Sequence, residues 1–463
     1  MTHPTVFRFV NARLPTQDGP REGSLTIRDG TIACWDGPQE KGCEDIDLQG
    51  AWLLPGAIDG HVHFDDPGFT HREDFASGTR AAAAGGVTTI VDMPCTSLPP
   101  VTDGSSYDEK YSVVAPKAWV DFALWGGVRG NDFDRDSVSR RLDELRSRGV
   151  RSIKTYLISG MDTFRDVDAD QLAIVLEEAG RRGMRVGVHA EDRQDVLQAT
   201  EREQAQDPAG MPASYARARS AEAEAKGVQT CIELSERTAM PLHVVHLACG
   251  RGVDLIRRAK ARQVPITAET CPHYLAFTVE DLERLGGLLK TAPVVKSAAD
   301  RQALWEGLAD GTLDMVATDH APGAYPKEKT TGSIWTDYGG VPGVELLLPY
   351  LLSEGVMRGR LSLARAMRLL SSNPAQIHSL AGKGGLQPGN DADVVVFDPR
   401  PLWTVRAKDL VTRQPYTPFE GMQWQGRVTT TYVRGRLVYD RARGFADAPR
   451  GKRVEPRGSS IEE

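Results

Sequence analysis

With 463 residues, of which 40% are hydrophobic and 26% charged, the chain is long enough for two or three domains or for one decorated β/α barrel. Its 56 basic and 63 acidic residues leave a formal charge of −7 with no Arg-rich tract or basic stripe, which excludes nucleic acid as an expected partner. No apolar run approaches a membrane span, no secretory signal is visible behind Met1, and the six cysteines lack any C-x-x-C pair, so a reduced, cytoplasmic protein with no membrane partner is expected.

Residues 1–55 read as short strands and turns, among them a hairpin over Ser24–Ala33 that turns at Asp29-Gly30. The stretch Leu54–Phe64 then alternates apolar and polar residues through its second half, as a strand does. On a strand successive side chains alternate faces, so His61 and His63 project the same way. Seven further strand-like runs follow, ending near Met93, Trp125, Tyr156, His189, His246, Thr270 and Asp319. Helical patterns lie between them, clearest over Asp74–Ala84, stopped by Gly85-Gly86, and Asp170–Arg182, stopped by Gly183. Eight β/α units in series predict a closed parallel (β/α)8 TIM barrel over 56–384, in the α/β class. Beyond it, Ala392–Phe397 and the hairpin Val428–Tyr439 repeat the texture of the N-terminus. A small β-sandwich from both chain ends, 1–55 and 385–463, is therefore expected, with the last dozen residues a loose tail.

Barrel enzymes take their working residues from the C-terminal ends of the strands. Those ends here carry His61 and His63, Lys154, His189, His246 and Asp319, six side chains of metal-binding or bridging type. An H-x-H pair alone equally fits core histidines held by backbone hydrogen bonds; six such residues on one rim do not. Alternation sets His243 on the face opposite His246 and His320 opposite Asp319, so His243 reads as structural and Asp319 as the ligand and base. Protonated Lys154 has no lone pair and can serve only if its amine becomes an anion. His71, His273 and His378 fall in loops or helices and read as surface or supporting residues.

Pro55–His63, Ala82–Thr89, Ile153-Lys154, His189-Ala190-Glu191, His243–His246 and Ala317–Pro322 resemble, in order, the motifs of the cyclic amidohydrolases. That group contains dihydroorotases, allantoinases and dihydropyrimidinases, and the resemblance runs from about residue 45 to 440. It implies a binuclear centre of two divalent ions, Zn2+ by expectation. His61, His63 and Asp319 would hold one ion and His189 and His246 the other. Lys154, carboxylated by carbon dioxide, would bridge both as a carbamate. The implied reaction is attack of a metal-bridging hydroxide on a ring amide, with Asp319 moving the proton to the leaving nitrogen. The family also implies a homo-oligomer, commonly a tetramer.

The ring is read from the departures. Dihydroorotases place a carboxylate-clamping Arg where this chain has Asp65 and an Asn where it has Cys95, and Gly323 and Ala292 stand where their His and Asn occur. A carboxylate at Asp65 repels such a substrate. Dihydropyrimidinases carry an oxyanion-stabilising Tyr at the place of Ser159, for which Tyr156 is the nearest substitute. Pro99-Pro100-Val101-Thr102, Glu269–Leu275 and Lys290–Pro293 look allantoinase-like, although Gly340–Glu345 leans toward dihydroorotases. The expected reaction is allantoin to allantoate, a cyclic ureide being the small-molecule partner, with Asp65, Tyr156 and Ala292 as substrate contacts. The alternatives are a dihydroorotase, a hydantoinase or dihydropyrimidinase, and a non-catalytic scaffold of the same fold.

Overall fold

The computed structural model describes residues 6–17, 19–39 and 41–457. Residues 1–5 and 458–463, which hold the start of the N-terminal stretch and the end of the expected tail, lie outside the described residues.

The barrel strands are Ala57–Val62, Val87–Asp92, Asp121–Leu124 continued by Gly126–Gly127, Ser152–Tyr156, Arg185–His189, Leu242–Val244, Ile266–Thr270 and Met315–Val316. All pair in parallel with their sequence neighbours. The third strand joins two ladders, pairing with the second through its first half and with the fourth after Trp125. The circle closes where Val62 bridges His320 and the His63 N–H donates to the His320 carbonyl at 2.8 Å. Covered on both faces, these strands are almost wholly buried, polar residues such as Asp59, His61 and Lys154 included.

The helices begin and end on local chemistry. Asp74 caps Phe75–Ala84 by accepting the Ser77 N–H at 2.8 Å, and Asp168 caps Ala169–Arg181 in the same way through Gln171. At Gly85, which ends the first of these, a Cβ would fall 2.4 Å from the Glu345 carbonyl oxygen, so only glycine permits that approach.

Strands from both termini form one nine-stranded sheet. Trp52–Pro55 pairs antiparallel with the start of Val394–Thr404 and thereby joins the N-terminal strands to the C-terminal ones. Phe9, Leu25, Ile27, Leu53 and Val394 build an apolar core beneath it, separate from that of the barrel. The hairpin turns are where the sequence puts them, at Asp29-Gly30 and Arg434-Gly435, all four residues with positive φ.

Two expectations are corrected. The described part of the tail is not loose. Phe122 exchanges backbone hydrogen bonds with Lys452 and Val454, and the Ala381 and Arg457 N–H groups bond Glu455 and Ser379 carbonyls. Residues 451–457 thus strap the N-terminal end of the barrel, because the third strand leaves backbone groups there for them to satisfy. The sixth and eighth strands also end earlier than the sequence suggests, at Val244 and Val316. Beyond these points His246 (φ 40°) and Asp319 (φ 49°) adopt left-handed backbone, which releases both from strand alternation.

Candidate metal centre

The residues singled out at the strand ends meet on one rim. His61 Nε2 and His63 Nε2 each lie 3.1 Å from Asp319 Oδ1, so three donor atoms from the first and eighth strands converge. Across the barrel His189 Nδ1 lies 3.1 Å from His246 Nε2. The two groups touch through the His61 and His246 rings, whose centroids are 5.4 Å apart. Left-handed φ at two non-glycine residues, His246 and Asp319, is strain of the kind that gathers at functional sites.

Behind the rings, partners select which nitrogen faces inward. His61 Nδ1 meets Glu269 at 2.5 Å, His63 Nδ1 meets the Thr96 hydroxyl at 3.2 Å, and His189 Nε2 meets Glu191 at 2.7 Å. Arg219 holds Glu191 in turn, at 2.6 Å. A carboxylate accepts only, so the nitrogen facing Glu269 or Glu191 carries a proton and the opposite nitrogen is the one turned to the centre, where it would bind a metal ion. Asp59, fully buried, accepts the Thr318 N–H at 3.0 Å and the Thr318 hydroxyl at 2.5 Å, which locks the residue before Asp319 onto the first strand. Gly60 is required here, since a Cβ would fall 2.6 Å from His378 Nε2.

Electrostatics separate the groups. Burial opposes ionisation of Asp319, but His61 and His63 outweigh it and hold the carboxyl well below the usual range. Burial, with Lys154 and His189 adding to it, pushes His246 well below the ordinary histidine value, and burial also lowers His189. Both are therefore neutral imidazoles, the form that binds a metal. Burial brings Lys154 down to about 8. Its Nζ is fully buried and has no hydrogen-bond partner among the described residues. Burial opposes charge on His61 and His63 as well, but Asp319 and Glu269 outweigh it to raise His61, and Cys95 and Asp319 raise His63 to about 10, so these two rings share the anionic side of the site. Neutral imidazoles at His189 and His246, an ionised carboxylate and a buried amine together form a donor set that fits a cation pair bridged by a modified lysine.

The residues expected to contact substrate, Asp65, Tyr156 and Ala292, have these surroundings. Tyr156 stacks on His189, lies 4.6 Å from Lys154 Nζ at its ring centre, and meets the Cys95 thiol at 3.0 Å through its hydroxyl. Asp65 is fully buried with φ 53°, and neither carboxylate oxygen has a partner among the described residues. Burial raises that carboxyl to about 7. Around Ala292, the Lys290, Thr291 and Pro293 carbonyls are taken by Gly340, Tyr215 and Tyr274, while no bond engages the Ala292 backbone among the described residues. His320 is buried behind the rim, receiving the Gly343 and Val344 N–H groups on Nδ1.

One expectation fails in detail. His243 does not face away from the barrel: its ring bonds Glu269 and Thr267 inside it, below His246. Alternation misplaced the pair because the strand stops at Val244. The supporting roles of Glu269, Glu191, Thr96 and Asp59 were not assigned from sequence. The Glu269–Leu275 and His189–Glu191 motifs carried two of them, but not what they touch.

Residues 52–438 match the profile of the amidohydrolase family. The chain is 40% identical over 437 residues to a protein named allantoinase from Rubrobacter xylanophilus, covering 94% of both chains. It is 36% identical over 430 residues to another of that name from Deinococcus radiodurans, covering 92% of this chain and 94% of that one. Among solved structures, the L-hydantoinase (dihydropyrimidinase) from Arthrobacter aurescens superposes with a TM-score of 0.90 at 30% identity, covering 97% of this chain and 99% of its own. The dihydropyrimidinase from Brevibacillus agri gives 0.90 at 29% identity, with coverage of 97% and 98%.

Proposed function

Because the chain belongs to the amidohydrolase family, we propose that this cyclic-amide hydrolase opens the hydantoin ring of allantoin to give allantoate. The observation that carries the chemistry is the convergence of His61, His63, His189, His246 and Asp319 around the buried, unpartnered Lys154 amine. The substrate follows from the full-length relatives named allantoinase and from the buried carboxylate at Asp65.

His61, His63 and Asp319 would hold one divalent ion, zinc by preference, and His189 and His246 the other, with Lys154 bridging as a carbamate. When bound, such a pair supplies hydroxide at neutral pH and polarises a carbonyl. The chain does the rest. Lys154, near 8 through burial, offers the neutral amine that reacts with carbon dioxide. Asp319 takes the proton of the attacking water and passes it to the ring nitrogen as the amide C–N bond breaks. The Ala292 backbone and the Tyr156 face position the ring, and the Asp65 carboxylate accepts ureide N–H groups while repelling a substrate carboxylate. The catalytic unit is taken as 56–384, framed by the sheet of both termini, and the working form as a cytoplasmic homo-oligomer, a tetramer by family resemblance.

The test is the initial rate of ring opening by enzyme reconstituted with zinc and bicarbonate, on allantoin, hydantoin, dihydrouracil and dihydroorotate in parallel. Allantoin is expected to give the highest kcat/KM. A preference for hydantoin or dihydrouracil would move the protein to the activity in the names of its structural neighbours.

A further inference from the structure

A chain of polar side chains, buried at Glu269 and His243 and half-buried at Thr267 and Arg185, runs from the metal centre down the barrel interior. Glu269 Oε1 meets His61 Nδ1 at 2.5 Å and also accepts the backbone N–H of His246 at 3.2 Å. Its other oxygen meets His243 Nε2 at 3.0 Å. His243 Nδ1 meets the Thr267 hydroxyl at 2.8 Å, and Arg185 Nη1 donates to that hydroxyl oxygen at 3.3 Å. His243 and Glu269 are both fully buried.

The donor and acceptor roles follow from the partners alone. Glu269 only accepts, so the nitrogens facing it, His61 Nδ1 and His243 Nε2, are both N–H donors. The Thr267 hydroxyl oxygen holds His243 Nδ1 at 2.8 Å, accepts from Arg185 and lies 3.4 Å from the Leu242 carbonyl, so both imidazole nitrogens are held in place. Each link holds the next, and at the top His61 turns Nε2 to the point where His63 Nε2 and Asp319 Oδ1 converge, the side a metal ion would take. The interior of a parallel barrel is ordinarily filled by branched apolar side chains, and a leucine at 243 would satisfy packing. A buried imidazole is costly unless its nitrogens are hydrogen-bonded, and with both engaged the network rigidifies what it touches.

We propose that His243 and Thr267 are positioning residues of the metal centre, acting through Glu269 to fix the tautomer and orientation of His61 and the backbone of His246. This rests on the reading of His61 and His246 as metal ligands. Neither His243 nor Thr267 touches metal or substrate.

The test uses full-length enzyme loaded with zinc and bicarbonate, comparing wild type with His243→Phe, His243→Gln and Thr267→Val. Metal content is followed during timed exposure to a chelator, beside kcat and KM for allantoin. Outer partners of metal-bound histidines commonly set affinity or activity by about 10–100-fold. His243→Phe is expected to lose metal about 10–100-fold faster and to lower kcat with KM little changed. His243→Gln, whose side-chain amide can still donate to Glu269, should restore most of the retention. Thr267→Val, nearly isosteric, should shift retention the same way by less and keeps the test open if the Phe variant does not fold. Retention equal to wild type in both His243→Phe and Thr267→Val overturns the proposal, as does a Gln variant no better than Phe. A wild type that takes up no metal overturns the ligand reading itself, which these variants do not address.

Discussion

In the proposed reaction Asp319 and Lys154 would divide the work at the centre, and their substitutions separate. Asp319→Asn keeps a ligating oxygen but cannot hold the proton, so metal should stay bound while kcat falls by several orders of magnitude, about 10^3-fold or more; metal analysis beside initial rates checks both. Lys154→Ala removes the buried amine that would bridge the ions and should lose metal and activity together, with partial recovery when a small carboxylic acid is supplied. In the proposed function Asp65 would act on the substrate side. Its two unpartnered, buried oxygens suit N–H groups of a neutral ureide. Asp65→Asn should lower kcat/KM for allantoin by about 10–100-fold, the loss expected when a buried hydrogen-bonding site is mismatched, and should narrow the gap to dihydroorotate. A panel of the two substrates reads this directly.

Two lysines show how elements are held to one another. Lys383 sits among Asp121, Asp391 and Asp393 at 2.6, 2.8 and 2.7 Å, with Arg434 also paired to Asp121. The carboxylates could by themselves be taken for a cation site, but the Lys383 ammonium occupies their centre. Burial works against that charge, yet Asp393, Asp121 and Asp391 hold its pKa above the ordinary lysine value. Because Asp121 belongs to the third barrel strand and Asp393 precedes a sheet strand, this group pins sheet to barrel. Lys383→Met, which leaves buried carboxylates unpaired, should cost about 3–5 kcal/mol in denaturant unfolding. Lys329 straps the loop beyond the eighth strand, donating to the Tyr338 and Gly340 carbonyls at 2.7 Å each. Burial, with Lys290 nearby, lowers it from 10.5 to about 7. The unfolded chain therefore binds the extra proton between these values, and the contribution of Lys329 to stability is full above 10.5 and lost as pH falls through about 7. Relative to Lys329→Met, the stability of the native protein should rise with pH across that window, by at most about 1.4 kcal/mol per pH unit. Unfolding curves at four or five pH values measure the slope.

For the molecule as a whole, the proposed ligands come from the first, fourth, fifth, sixth and eighth strands, so one bound cluster would tie most of the barrel together. Stripping the metal should therefore lower the thermal midpoint as well as abolish activity. Metal at 100 times its dissociation constant stabilises by about 2.7 kcal/mol. Reloading with zinc and bicarbonate should recover more activity than zinc in carbon dioxide-free buffer, because Lys154 would have to be carboxylated to bridge. Calorimetry of stripped and reloaded enzyme, with rates on allantoin, tests both statements. Equal recovery without carbon dioxide would remove the carbamate from the site.

Sequence alone determined the repeated β/α pattern, the β-rich ends and the rim residues. Period-2 alternation, Gly and Asp punctuation and the His61-x-His63 spacing are local signals, and local sterics produce them. The partners of those residues were not legible, because Glu269 lies 208 positions from His61 in the chain and Asp59 lies 259 from Thr318. Only closure of the barrel brings such residues within hydrogen-bond reach. The same holds for His243, which alternation turned outward, and for residues 451–457, whose polar composition suggested a tail. In each case backbone leaving the ladder, or an unpaired strand edge waiting for it, decided the outcome. Those are contacts between distant segments, and they exist only in the folded chain.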